Sequence, residues 1–489
     1  MTTRAREFER VGGVAHDTSS YARHAVLLIS FAALVVWAAY AARAWCFEWP
    51  LDYGEGPLLD QAKRIAAGGT IYPPTFGEYG GLVSNYPFVY PCLLALAGKC
   101  FGFTFPIARA LTAASALVCT GAIASIVRDL TRNHVAAVFA AALFAASPIV
   151  ISWSTLARVD FLALAFTLSS LALVARFPLA RITPVLAAVL LVLAVFTRQS
   201  HVLAGPLAVA VALWADSRVR AFVFAGAFLG MLAAFLLALH ALTHGAFWLH
   251  VVMGNVQAYR PSNVLSALRR FLLTSGPLLV FSVAASWKAR AAVTEPRSPH
   301  HLLAPFLVGA LVSSLTIGKV GSSVNHLLPL VAALAIGGGV ALASATKTRW
   351  VLIAQVPWMM AFALLDSPEA LEQKLAHRDE IADLARIVRE SPAPLLADEE
   401  MGLLVLGSQP IALDPFDLTQ LVRAGRANEE PLVTALHERR FRLVLVSDLP
   451  PNNEATVRER WSPRMLAALH AGYEAHETFA TTTVYRPRS

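Results

Sequence analysis

Apolar residues fill this chain in long runs separated by short polar breaks. The first run covers about 24–46. Others follow at roughly 106–127, 134–152, 159–176, 183–197, 200–216, 221–242, 268–287, 303–318, 326–345 and 350–366. Most approach the ~20 residues that a helix needs to cross a bilayer. They are too long and too apolar for barrel strands, and no other backbone arrangement satisfies its polar groups in lipid. The pattern predicts a mainly α, polytopic transmembrane bundle of about eleven spans. A further stretch, YPFVYPCLLALAGKCFG at 86–102, is short and broken by Lys99, which predicts an interfacial or re-entrant helix. The pattern changes at 367. SPEALEQKLAHRDEIADLARIVRE and EEPLVTALHERR read as helices. APLLA, GLLVL, QPIAL, FRLVLVSD and TTTVYRP read as strands, which makes 367–489 a small α/β domain.

Composition agrees with this. The 489 residues are 56% hydrophobic and 15% charged, with mean hydropathy +0.57. The net charge of +8 gathers in short loops, so it is a topology signal rather than a nucleic-acid footprint. Arg4, Arg6, Arg10 and Arg23 hold the 1–23 tail in the cytoplasm. If 86–102 does not cross, the inner loops carry Arg128 and Arg132, Arg176 and Arg181, Arg218 and Arg220, Lys288, Arg290 and Arg297, and Lys347 and Arg349. Counting 86–102 as a span breaks that rule. An odd number of spans places the 47–105 loop and the C-terminal domain outside. The N-terminal run lacks a clear cleavage site and reads as a retained span. Cys46, Cys92, Cys100 and Cys119 have no metal spacing. They read as reduced apolar fillers, with a Cys92–Cys100 pair as the alternative.

This topology brings the unusual polar residues of the span mouths to one face, where ionisable groups usually serve a site or pathway. Asp52 and Glu55, three apart, share a face if helical, and are weighed as a proton acceptor against an acidic loop or cap. Arg158 and Asp160 flank a span mouth, either as a self-satisfying pair or as part of the same cavity. A divalent ion held weakly by Asp52 and Asp160 is a lesser alternative. Arg198 and Lys319 suit a phosphate, and Arg260, beside Gln257 and Tyr259, is a weaker candidate. For Arg198 the ordinary alternative is snorkelling to headgroups. Tyr86, Asn325 and His326 are candidate substrate contacts, and His326 also reads as a satisfied interfacial histidine. His244 and His250 bracket AFWL, an amphipathic interfacial stretch. Asp398, Glu399 and Glu400 read as a solvated turn.

Several motifs together resemble the C-type (GT-C) glycosyltransferase superfamily, in particular bacterial members related to protein O-mannosyltransferases and to the lipid A aminoarabinose transferase. These are DYGEGPLLDQAKRIAAGGTIY…NYPFVYPCLLAL, SPIVISWSTLARVDFLALAF, VFTRQS, KVGSSVNHLLPL and LLADEEMGLLVLGSQPIALDPFDLTQLVRAG. The chain departs from that pattern where Asp52-x-x-Glu55 replaces an adjacent Asp-Glu. If Glu55-Gly56 matches the family's Glu-Gly, Gly54 stands at the family's aspartate. Asn85-Tyr86-Pro87 stands where Lys-Pro-Pro is common, and Arg198 takes the place of a lysine. The resemblance implies transfer of a sugar from a polyprenyl-phosphate donor to a lipid, glycan or protein acceptor, outside the plasma membrane of a bacterium and with inversion. A transporter or flippase of lipid-linked sugars is the alternative. It is disfavoured because neither internal repeats nor broken midplane helices are evident.

Overall fold

The computed structural model describes residues 3–291, 299–344, 349–366, 368–447 and 454–489. Among the predicted inner-loop cations, Arg297 and Lys347 lie outside these residues. The polar tail does not stop where the first apolar run begins. Helix α1 runs unbroken over Thr3–Trp45. The large loop that follows holds α2 (Glu55–Ala66) and α3 (Val89–Phe101), the latter on the stretch expected not to cross. Next come α4 (Phe105–Thr131), α5 (His134–Ala145), α6 (Pro148–Trp153), α7 (Asp160–Arg176), α8 (Thr183–Thr197), α9 (Ala204–Asp216) and α10 (Arg218–Leu242). A short α11 (Ala246–Trp248) precedes α12 (Pro261–Ala291), α13 (Leu303–Ser314), α14 (Leu328–Ser344) and α15 (Arg349–Asp366).

Five of the described helical stretches are long and apolar enough to cross a membrane. They differ in surroundings. In the stretch containing α14, 83% of residues are buried, against 11% in α10. The first is therefore the bundle's centre, and the second turns nearly all its apolar surface outward, as a lipid-facing helix does. Helix α4 begins at a strong signal: Thr104 Oγ1 accepts from the Ile107 N–H at 3.5 Å, with Pro106 following. Its other end lies ~40 Å away, at 1.5 Å per residue. There Arg176 Nη1 meets Asp129 Oδ1 at 2.9 Å, joining the far ends of α4 and α7.

Pro277 inside α12 removes the donor that the Leu273 carbonyl would otherwise bond. Trp358 Nε1 of α15 donates to that carbonyl at 3.1 Å, and Gln355 Nε2 donates to the Thr274 carbonyl at 2.6 Å. In lipid an orphan carbonyl costs several kcal/mol, on the order given for unsatisfied backbone groups. The pair of side chains repairs the break.

The C-terminal part holds α16 (Pro368–Ala376), α17 (Arg378–Glu390), α18 (Met401–Leu406), α19 (Pro415–Arg423), α20 (Glu430–His437), α21 (Glu454–Arg460) and α22 (Pro463–Gly472). They surround a sheet of β1 (Leu395–Ala397), β2 (Leu443–Ser447), β3 (Tyr473–Phe479) and β4 (Thr482–Pro487), in the order β1-β2-β4-β3. Strands β1 and β2 are parallel, with Leu395 opposite Leu443; the other pairs are antiparallel. Alternate residues serve two cores. Leu395, Ala397, Leu443 and Leu445 pack on the side continuous with the membrane bundle, while Leu396, Val444 and Val446 join Trp461, Phe441 and Leu436.

Two strand expectations fail here. GLLVL is α18, a buried helical turn against α2, and QPIAL is extended chain outside any strand. The acidic triplet is not a solvated turn either. Asp398 is 2% exposed, accepts from Trp461 Nε1 at 3.1 Å and the Ser447 N–H at 3.0 Å, and shares Arg460 with Glu399. Glu400 pairs with Lys374 at 2.5 Å. These carboxylates tie α16, β2 and α21 together.

Candidate active site

Glu55 opens α2 and is fully buried. Its Oε1 takes Arg109 Nε at 2.9 Å and the Ala157 N–H at 2.7 Å; its Oε2 takes Arg109 Nη2 and the Leu51 N–H, both at 2.7 Å. Burial raises the energy of its charge, but the guanidinium fork and the two amides outweigh it and hold its pKa below the usual value. Arg109 also donates to the Ala44, Phe47 and Trp49 carbonyls at 3.0, 2.5 and 2.6 Å. One ion pair thus fastens the end of α1, the loop before α2, and the loop between α6 and α7.

That fastening places Asp52 beside Arg158. The two form an ion pair, and Asp52 Oδ1 also accepts from the Gly54 N–H at 3.0 Å. Both contacts use Oδ1, and the Asp52 side chain remains 18% exposed. Burial raises its pKa, against the pull of Arg158. The Arg158 guanidinium is sandwiched near the Tyr53 and Trp153 rings, 4.9 and 5.6 Å from their centroids.

The guanidinium also explains Gly54. A Cβ there would lie 1.8 Å from Arg158 Nη1, in space the guanidinium fills. Gly54→Ala is expected to destabilise the protein by about 1–3 kcal/mol, the cost of overpacking. The check is the thermal midpoint of purified protein, and an unchanged midpoint would mean that Arg158 yields freely.

A second ion pair stands nearby. Asp160 opens α7 and is 1% exposed. It pairs with Arg198 at the end of α8, and accepts from Asn325 Nδ2 at 3.1 Å and Trp153 Nε1 at 2.7 Å. Trp153 therefore touches both arginine pairs. Lys319 sits on a loop braced by a β-bridge to Tyr259, with the Arg260 N–H bonded to the Gly318 carbonyl at 2.7 Å. No carboxylate meets its ammonium among the described residues, and burial lowers its pKa. His326 shares a 2.7 Å hydrogen bond with Thr316.

These groups line a cavity of about 350 Å³, bounded by Tyr53, Tyr86, Arg158, Arg198, Lys319, Asn325 and His326. Asp52 and Asp160 stand directly behind its arginines. Arg260 is placed elsewhere: it faces a neighbouring cavity and pairs with Glu459 at 2.6 Å. His250 is fully buried, while Trp248 of the same stretch is exposed. Its Nδ1 accepts from the Ser84 N–H at 3.1 Å and its Nε2 meets the Pro73 carbonyl at 2.8 Å. Sequence reasoning missed Arg109. The available signal was an arginine inside the 106–127 apolar run, where a charge needs a partner. The four cysteines are free.

Solved structures share this fold. ArnT from Cupriavidus metallidurans bound to undecaprenyl phosphate superposes with TM-score 0.63 at 14% identity, covering 94% of this chain and 97% of that one. Its apo form gives 0.62 at 15%, with the same coverage. Both are GT-C glycosyltransferases. The chain has the GT-C fold. AglB from Archaeoglobus fulgidus, in complex with an inhibitory peptide and a dolichol-phosphate, is also similar, at TM-score 0.51 and 14% identity, over 94% of this chain and 74% of that one. Residues 85–244 match the family described as dolichyl-phosphate-mannose-protein mannosyltransferase. No curated protein matches the chain in sequence. The matched third of the chain runs from the loop before α3 to the end of α10. It contains Arg109, Arg158, Asp160 and Arg198.

Proposed function

We propose that this protein is a membrane glycosyltransferase that moves a sugar from a polyprenyl-phosphate donor to an acceptor on the extracytoplasmic face, with inversion. The observation that carries the reading is the charge of the cavity. Asp52 pairs with Arg158 and Asp160 with Arg198, while Lys319, on the same cavity, has no ion-pair partner among the described residues. Such a wall binds a phosphate. The similarity to structures holding undecaprenyl phosphate and dolichol-phosphate supports a lipid phosphate in particular. The one-sided distribution of loop cations supports the extracytoplasmic placement.

In this mechanism the acceptor hydroxyl or amine attacks the anomeric carbon from the face opposite the phosphate and yields its proton to Asp52. The bond from that carbon to the phosphate oxygen breaks, and its electron pair leaves with the phosphate. Arg198 and Lys319 meet the growing negative charge, which lowers the barrier to the extent that they bind it more tightly than the ground state. Asp52 is assigned the base and Glu55 a positioning role, because all four contacts on Glu55 are structural. Arg260 is outside the reaction in this scheme. As placed, Asp52 and Asp160 do not fit a divalent ion, because each already faces its own guanidinium, and no step is routed through a metal.

The test is transfer of radiolabelled sugar from polyprenyl-phosphate donors by purified full-length protein in detergent, with lipid and protein acceptors. Transfer that disappears with Lys319→Ala supports the scheme. Translocation of the labelled lipid across proteoliposomes without transfer would favour the flippase alternative.

A further inference from the structure

The C-terminal domain contributes a part of the same cavity that the scheme above leaves unused. Helix α19 points its first turn at the cavity, with Phe416 packed against Gly321 of the Lys319 loop. Asp414 and Asp417 both line the space. Asp414 caps the helix, accepting from the Phe416 N–H at 2.9 Å. Asp417 has no such duty. It is 7% exposed, lines the cavity, and has no hydrogen-bond or ion-pair partner among the described residues. A buried carboxylate without a partner is costly. Burial pushes Asp414 up to about 7, and raises Asp417 with Asp414 beside it. Three further acceptors on the lining residues, Gln61 Oε1, Gln199 Oε1 and Asn325 Oδ1, are buried without a partner. Two donors on the lining residues, Arg64 Nε and Arg158 Nε, are also buried without a partner, so the cavity wall holds unmet groups of both kinds.

We propose that Asp417, assisted by Asp414, forms the subsite for the transferred sugar, accepting hydrogen bonds from its hydroxyl or ammonium groups while the cationic wall holds the phosphate. The proposal rests on the glycosyltransferase reading and adds a specificity role for the C-terminal domain. O–H and N–H donors of a sugar satisfy the free carboxyl oxygens of Asp417. A charge-assisted hydrogen bond commonly contributes on the order of tenfold or more in affinity.

The experiment measures binding of three probes to full-length protein in detergent: undecaprenyl phosphate, undecaprenyl-phosphoryl-glucose and undecaprenyl-phosphoryl-galactosamine. The expected result is that Asp417→Asn weakens both sugar-bearing lipids about tenfold and leaves undecaprenyl phosphate unchanged. A larger loss for the galactosamine lipid identifies an ammonium contact, and equal losses identify hydroxyl contacts. The thermal midpoint should not fall, because asparagine is neutral at a buried position that disfavours a charged carboxylate. Asp414→Asn, which retains the cap, should give a smaller loss of the same kind. If Asp417→Asn binds all three probes as the parent does, or loses all three equally, the subsite is refuted while the glycosyltransferase reading stands. If the parent protein binds none of them, both fall together.

Discussion

Asp52→Asn should lower sugar transfer by about 10²–10⁴-fold, the usual contribution of a positioned general base. The asparagine keeps an oxygen where Oδ1 accepts from the Gly54 N–H and faces Arg158, so the local fold is expected to persist. Affinity for undecaprenyl phosphate should stay near the parent value, because the phosphate is assigned to Arg198 and Lys319. Single-turnover transfer with saturating donor checks the claim. Transfer within threefold of the parent would remove Asp52 as the base, and intact transfer in Asp52→Asn with loss in Glu55→Gln would return the role to Glu55.

The largest effect on stability is expected at Arg109. Arg109→Met leaves Glu55 charged, buried and without its main partner, a change that typically costs about 3–5 kcal/mol. It also strips the donor from three carbonyls where α1 ends. The thermal midpoint in detergent should drop by several degrees and expression should decline. Pairing it with Glu55→Met removes the stranded charge, so the double variant should recover part of the loss. Full recovery would show that the carbonyl bonds contribute nothing. No loss in the single variant would show that Glu55 takes up a proton at no cost.

The helical membrane character was legible because lipid favours long apolar helices and that requirement is visible locally, but five described stretches meet it in full and the 134–152 run divides into α5 and α6. The predicted 183–197 run and α8 coincide, and α3 lies on the stretch read as too short to cross. The C-terminal domain was less legible. GLLVL satisfies a buried strand and a buried helical turn equally well, and only its packing on α2 decides. YEAHETF, which forms β3, reads as polar because its middle residues are exposed at a sheet edge. The site divided in the same way. Asp52, Arg158, Asp160 and Arg198 carried local signals at span mouths. The burial of Asp398 depends on Arg460 and Trp461, some sixty positions later, and nothing beside Asp398 announces them.

Helix α2 meets α18 through two glycines. A Cβ on Gly56 would stand 2.5 Å from the Gly402 backbone nitrogen. The C-terminal part is thus keyed to the loop bearing Asp52 by main chain touching main chain, with no side chain between the two glycines to absorb a shift. Any tilt of that part must therefore carry α2 with it, and Pro57, Leu58 and Gln61 of α2 are part of the cavity wall.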